Sequence, residues 1–296
     1  MHNKGKIPHK PHRITRRIGG GILIALGFLS GCRGNLEALP KGITLIWSDE
    51  FDYEGAPDPD KWDFSLGAHG WGNAEKQEYT NSRENSAVGK GLLEIRARNE
   101  NDRWTSARLT TQHKAQWTYG YFEIRAKLPK GRGTWPAIWM LPSADHYGPW
   151  PRSGEIDIME HVGHDQDRVH TTAHTGAFNH TKNTQKTESV IVKDASRKFH
   201  VYAMEWNPAY IQWYIDGKAV FRFDNPGTGS RVTAGEESSG GTAAEVSKTA
   251  SELWPFDIPF YLILNIAIGG SWGGQQGIDP GLQEAVMQID YVRVYQ

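Results

Sequence analysis

The sequence predicts an all-β protein, a sandwich of two antiparallel sheets, on three observations. Apolar residues recur at every second position, turn-forming residues separate these runs, and no long amphipathic helix interrupts them. The composition agrees. The 33 Gly and 15 Pro suit closely spaced turns, and the 12 Trp, 11 Tyr and 10 Phe suit pleated, half-buried surfaces.

Taken in order, Leu93, Ile95 and Ala97 alternate with Glu94, Arg96 and Arg98. Phe122, Ile124, Ala126 and Leu128 alternate with Tyr121, Glu123, Arg125 and Lys127. Ile211, Trp213 and Ile215 share one face, and Ala219, Phe221 and Phe223 share another. Each pattern marks a strand with one buried side. Turns are signalled at Pro129-Lys130-Gly131, Asp216-Gly217-Lys218 and Asn225-Pro226-Gly227. No internal repeat is present. A domain over 42–296, about 255 residues, is large enough for a two-sheet sandwich. Within it, Gly227 to Ser251 is rich in Gly, Ser, Thr, Ala and Glu and reads as a long, mobile surface loop.

The first residues have a different character. Arg13, Arg16 and Arg17 precede an apolar run from Ile18 to Leu29, too short to span a bilayer comfortably. The run ends in Leu29-Ser30-Gly31-Cys32, which resembles the lipobox of bacterial lipoproteins. Residues 1–31 are thus expected to be a signal peptide, Cys32 the lipidated residue, and 32–41 a spacer. The expected destination is the bacterial cell envelope, through an N-terminal lipid anchor in the membrane. Thr15-Arg16-Arg17 weakly resembles a twin-arginine signal. Cys32 is the only cysteine, so disulfides play no part. With 33 Lys+Arg against 34 Asp+Glu, nothing suggests a nucleic-acid partner.

The chemistry is concentrated in Gly154-Glu155-Ile156-Asp157-Ile158-Met159-Glu160-His161. In a regular strand Glu155 and Asp157 face one side, Ile156 and Ile158 the other, and Glu160 falls on the apolar side. A β-bulge near Ile158–Met159 adds one residue and returns Glu160 to the acidic face. The outer two Cα atoms then lie roughly 13 Å apart at strand rise. Inward-leaning side chains bring the carboxyls to about 5–6 Å, the separation for double displacement with retention of configuration. An acidic solvated face is the bland alternative, but acidic residues form strands poorly. Just upstream, Gly131 to Pro142 supplies Trp135 and Trp139, and aromatic rings in a groove grip the CH-rich faces of sugars.

Glu-Ile-Asp-Ile-Met-Glu, preceded by Gly-Thr-Trp-Pro-Ala-Ile-Trp-Met-Leu-Pro, resembles glycoside hydrolase family 16 and its laminarinase branch. Further matches are Trp47-Ser48-Asp49-Glu50-Phe51, Trp71-Gly72-Asn73-Ala74-Glu75, Tyr119 to Glu123, His174-Thr175, Asn265 to Trp272 and Ile289 to Tyr295. The resemblance implies a β-jelly roll with a concave substrate cleft. It implies Glu155 as nucleophile, Glu160 as general acid/base and Asp157 as the assisting residue between them. Met159 is the extra residue of laminarinase-like members. Trp135, Trp139 and Trp272 are expected against sugar rings, with Asn73 and His174 lining the cleft. His170 and His174 are four apart, but the strand-like Val-His-Thr-Thr-Ala-His around them argues against a zinc pair. Glu50, the Gly91 carbonyl and Asp290 resemble the family's structural calcium site. No cofactor is expected for catalysis.

The implied activity is an endo-acting β-1,3-glucanase, a monomer whose partner is its β-glucan substrate. Mixed-linkage β-1,3-1,4-glucan or a galactan such as agar is the sibling alternative. A glycan-binding, lectin-like sandwich is the alternative from another class, and the presence of both Glu155 and Glu160 weighs against it.

Overall fold

Every alternating run becomes a strand. The computed structural model describes residues 42–227 and 250–296. In chain order the strands are β1 (Leu45–Asp49), β2 (Asp63–Phe64), β3 (Gln77–Tyr79), β4 (Ser86–Gly89), β5 (Leu92–Glu100), β6 (Arg103–Ser106), β7 (Arg108–Thr110), β8 (Gly120–Lys127) and β9 (Thr134–Pro142). They continue with β10 (Glu155–His161), β11 (Arg168–His174), β12 (Lys186–Ile191), β13 (His200–Trp206), β14 (Tyr210–Ile215), β15 (Lys218–Asp224), β16 (Phe260–Ile268) and β17 (Glu284–Tyr295).

They form two sheets. One runs β15-β14-β13-β8-β17-β5-β6-β3, with β1 on β17 and β4 on β5; the other runs β12-β11-β10-β9-β16-β7-β2. Among the described residues, all but one of the ladders are antiparallel, the exception being β3 with β6. In the second sheet β9 to β12 follow one another in sequence while β16, β7 and β2 join from distant parts of the chain, so it gathers residues from 63 to 268.

The alternation sets what lies between the sheets. Leu93, Ile95, Ala97, Phe122, Ile124 and Ala126 are all fully buried, and they pack against Ile138, Met140, Ile156, Ile158, Leu262 and Leu264 of the second sheet. Each such Leu, Ile, Phe or Met side chain contributes roughly 1.5–3 kcal/mol on burial, and each alanine about 1 kcal/mol or less. The Asp216-Gly217 turn forms as expected: both residues have positive φ, 50° and 77°, as a two-residue hairpin requires. The pattern on β15 holds only in part. The β14–β15 ladder shifts register between Trp213 and Tyr214, so Phe221 stacks on Trp213 at 5.2 Å while Ala219 is exposed. A bulge had broken the period of two.

Residues 1–31, Cys32 and the spacer to Lys41 lie outside the described residues, as do residues 228–249 of the loop expected over Gly227 to Ser251; Ala250 and Ser251, at its end, are helical.

Candidate active site

The bulge on β10 is present. Against β9, Asp157 pairs with Trp139 but Met159 pairs with Ile138, so Ile158 is the added residue. Against β11, Asp157 faces Thr172 and Glu160 faces His170, again one residue out of step. Ile156, Ile158 and Met159 are all buried in the core, which anchors the strand behind the carboxylates. Glu155, Asp157 and Glu160 consequently line one groove of about 1270 Å³.

Each acid has its own surroundings. The Trp150 indole N–H donates to Glu155 Oε2 at 2.7 Å, and His174 Nε2 lies 3.7 Å from Glu155 Oε1. Asp157 is 1% exposed, with Oδ2 at 3.4 Å from the same His174 nitrogen. The Trp135 indole N–H donates to Glu160 Oε1 at 3.0 Å.

These contacts fix the direction of each carboxyl's proton affinity. Burial disfavours the anion, and the negative charge of Asp157 adds to it, so the Glu155 carboxyl is raised; His174, Trp150 and Arg108 pull it back. Asp157 is raised by burial. Glu160 is raised well above the usual carboxylate range, first by burial, then by the charges of Asp157 and Glu155. Three neighbouring acids in one desolvated groove cannot all ionise near neutral pH. Glu155 has the most groups favouring its anion. Glu160 faces two neighbouring negative charges and retains its proton longer. The two carboxyls thereby differ in how readily each gives up its proton.

The expected sugar-binding residues line the same groove: Trp135, Trp139, Asn73, His174 and Trp272. Trp135 and Trp272 meet edge to face at 5.4 Å, and His170 packs on Trp272 at 4.9 Å, so an aromatic wall stands beside Glu160. Trp139 donates to Asn265 Oδ1 at 2.7 Å. Asn73 donates to Glu75 Oε1 at 3.3 Å, so its amide is held by a groove carboxylate.

Three groove residues were not singled out from the sequence, although Glu75 lies at the end of the Trp71-Gly72-Asn73-Ala74-Glu75 match. Arg108 lies between Trp71 and Trp139, its guanidinium carbon 4.6 and 4.7 Å from the ring centroids. Glu75 is fixed by Gln77 as well as Asn73, and burial raises its carboxyl. Trp150 reaches Glu155 from a loop five residues upstream. Only the tryptophan excess hinted at the last; Arg108 and Glu75 are brought in by sheet pairing.

The fold brings the expected calcium ligands to one place. Glu50 follows Asp49, the partner of Val292, and Gly91 precedes Leu93 by two residues, the partner of Ile289. Glu50, Gly91 and Asp290 therefore flank one stretch of β17. Both carboxylates, however, are taken by guanidinium groups. Arg293 holds Glu50 through two contacts of 3.0 and 2.8 Å, and Arg125 pairs with Asp290. A cation there would have to displace two arginines, so the donor set does not fit calcium as arranged.

Comparison with known proteins agrees with the geometry. Residues 73–236 match the family model for glycosyl hydrolases family 16. The chain is 54% identical over 257 residues to a beta-glucanase of Rhodothermus marinus, covering 85% of this chain and 84% of that protein. Its fold matches the X-ray structure of the Rhodothermus marinus laminarinase with a TM-score of 0.78 and 52% identity, over 86% of this chain and 97% of the other. The laminarinase from Flavobacterium sp. UMI-01 matches with a TM-score of 0.72 and 36% identity, over 86% of this chain and 100% of the other.

Proposed function

The chain belongs to glycosyl hydrolases family 16, and from that premise we propose that it cuts β-1,3-glucan within the polymer chain, with retention of anomeric configuration. The observation that carries the reading is the bulged strand, which turns Glu155 and Glu160 onto one groove, each held by a separate indole N–H.

Glu155 attacks the anomeric carbon of the sugar bound above it, while Glu160 gives its proton to the departing glycosidic oxygen. A glycosyl ester forms on Glu155. Glu160, now a carboxylate, takes a proton from the water that cleaves this ester. Asp157 tunes both steps: its charge opposes ionisation of Glu160, and proton sharing with Glu155 moderates the nucleophile. The Trp135–Trp272 wall and the Arg108–Trp139 stack supply flat and polar surfaces for neighbouring sugars. This chemistry needs no cofactor, and calcium enters no step.

Product profiling on laminarin, lichenan and agar tests the substrate. Laminarin should be cleaved fastest; faster cleavage of agar would overturn the assignment. Export and lipid anchoring through Cys32 are proposed alongside, supported by the basic stretch, the short apolar run and Leu29-Ser30-Gly31-Cys32.

A further inference from the structure

Two of the groove's acids stand with a histidine in an arrangement that hydrolysis does not require. Among the described residues, Glu155, Asp157 and His174 each offer one donor atom, and these atoms lie within 4.8 Å of one another. Their separations are specific. His174 Nε2 lies 3.4 Å from Asp157 Oδ2 and 3.7 Å from Glu155 Oε1. A tetrahedral zinc ion with bonds of about 2.0–2.2 Å holds its ligands about 3.3–3.6 Å apart. Two edges of such a tetrahedron are therefore present to within a few tenths of an ångström.

Three further features favour a cation. Asp157 is 1% exposed, and its Oδ2, facing the imidazole, makes no hydrogen bond. Glu155 Oε2 is already held by the Trp150 indole N–H at 2.7 Å, which leaves Oε1 directed at His174 and fixes the carboxylate as an outer partner does in metal sites. The donors also stand on rigid, paired backbone: Glu155 is the β-ladder partner of His174, with Asp157 two residues along the same strand.

We propose that Glu155, Asp157 and His174 form a binding site for one divalent transition cation of zinc type, which reversibly blocks the nucleophile. One imidazole and two carboxylates with an open fourth position suit a borderline ion. The set has too few oxygens for magnesium or calcium, which take six or more ligands. Metal on Glu155 Oε1 withdraws the lone pair that attacks the anomeric carbon, so zinc and glucan exclude each other. The inhibitory consequence rests on the roles proposed for the groove; the binding itself does not.

The test is calorimetric titration of the full chain with zinc chloride at pH 7. Wild type should show one tight site per chain, abolished when a β-1,3-gluco-oligosaccharide saturates the groove and unaffected by millimolar magnesium. His174→Gln should weaken that site at least about tenfold. Asp157→Asn should do the same, which keeps the test decisive if circular dichroism shows that either variant fails to fold. On laminarin, zinc should raise KM without lowering kcat, and chelator should reverse it. No tight site, a site unchanged in a folded variant, or zinc binding indifferent to oligosaccharide would overturn the proposal. A chain that binds zinc but leaves laminarin intact would instead refute the assigned activity alone.

Discussion

The indole N–H of Trp213, on β14 of one sheet, donates to the backbone carbonyl of Asp157, on β10 of the other, at 2.9 Å. Asp157 is the last residue in register before the bulge. A fully buried tryptophan thus bridges the core to the point where the catalytic strand changes face. Trp213→Phe keeps most of the apolar contact but leaves that carbonyl without its indole donor, at a cost of about 1–3 kcal/mol. Its Tm should fall by roughly 2–10 °C. An unchanged melting curve would mean that the bulge is held by its own ladder.

Trp150 and Trp135 should be separable by pH. Each donates to one carboxylate and lowers its proton affinity. Trp150→Phe raises Glu155, which must be ionised to attack, so the acidic limb of kcat/KM should move up by about one pH unit. Trp135→Phe raises Glu160, which must be protonated to donate, so the basic limb should move up instead. If both variants shift the same limb, the two roles are not divided between these acids.

Arg108 is stacked between Trp71 and Trp139 in the groove, and its charge also favours the Glu155 anion. Arg108→Met should raise KM for laminarin about tenfold or more through lost polar contact with sugar, while kcat changes less. A fall in kcat at constant KM would place the arginine in the chemistry instead.

Glu50 and Asp290 are neutralised by Arg293 and Arg125. Adding chelator should therefore leave the melting temperature unchanged. A drop in chelator that is absent from Asp290→Ala would show calcium displacing those arginines.

The proposed envelope localisation rests on Cys32. Cells expressing the protein should incorporate labelled palmitate into a membrane-associated form, and Cys32→Ser should abolish the label. Several acyl chains give stable anchoring where one holds only marginally. Unlabelled, soluble wild type would remove the lipid anchor from the account.

Much of this was legible in the sequence because it is local. Alternation along β5 and β8 places their apolar side chains inward without reference to any neighbour, and Asp216-Gly217 specifies its own turn. The bulge could be read because Glu160 faces the groove only if one residue is added between it and Asp157. What escaped notice depends on pairing between distant strands. Arg108 enters the groove because β16 lies between β7 and β9. Trp150 meets Glu155 through a loop with no periodicity to read. The arginine partners of Glu50 and Asp290 also come from neighbouring strand positions, so a motif match there supplied candidate ligands without the cations competing for them.

The most direct test of the central claim is the anomeric configuration of the glycosyl azides formed by two variants acting on an activated aryl β-glycoside. In Glu155→Ala no ester can form, so azide attacks the anomeric carbon directly from the vacated side and should give the inverted, α product. In Glu160→Ala the ester still forms, because the activated leaving group needs little protonation, and azide should displace it to give the retained, β product. Opposite configurations, α from Glu155→Ala and β from Glu160→Ala, are the result expected. The same configuration from both, or the reverse assignment, would contradict the account.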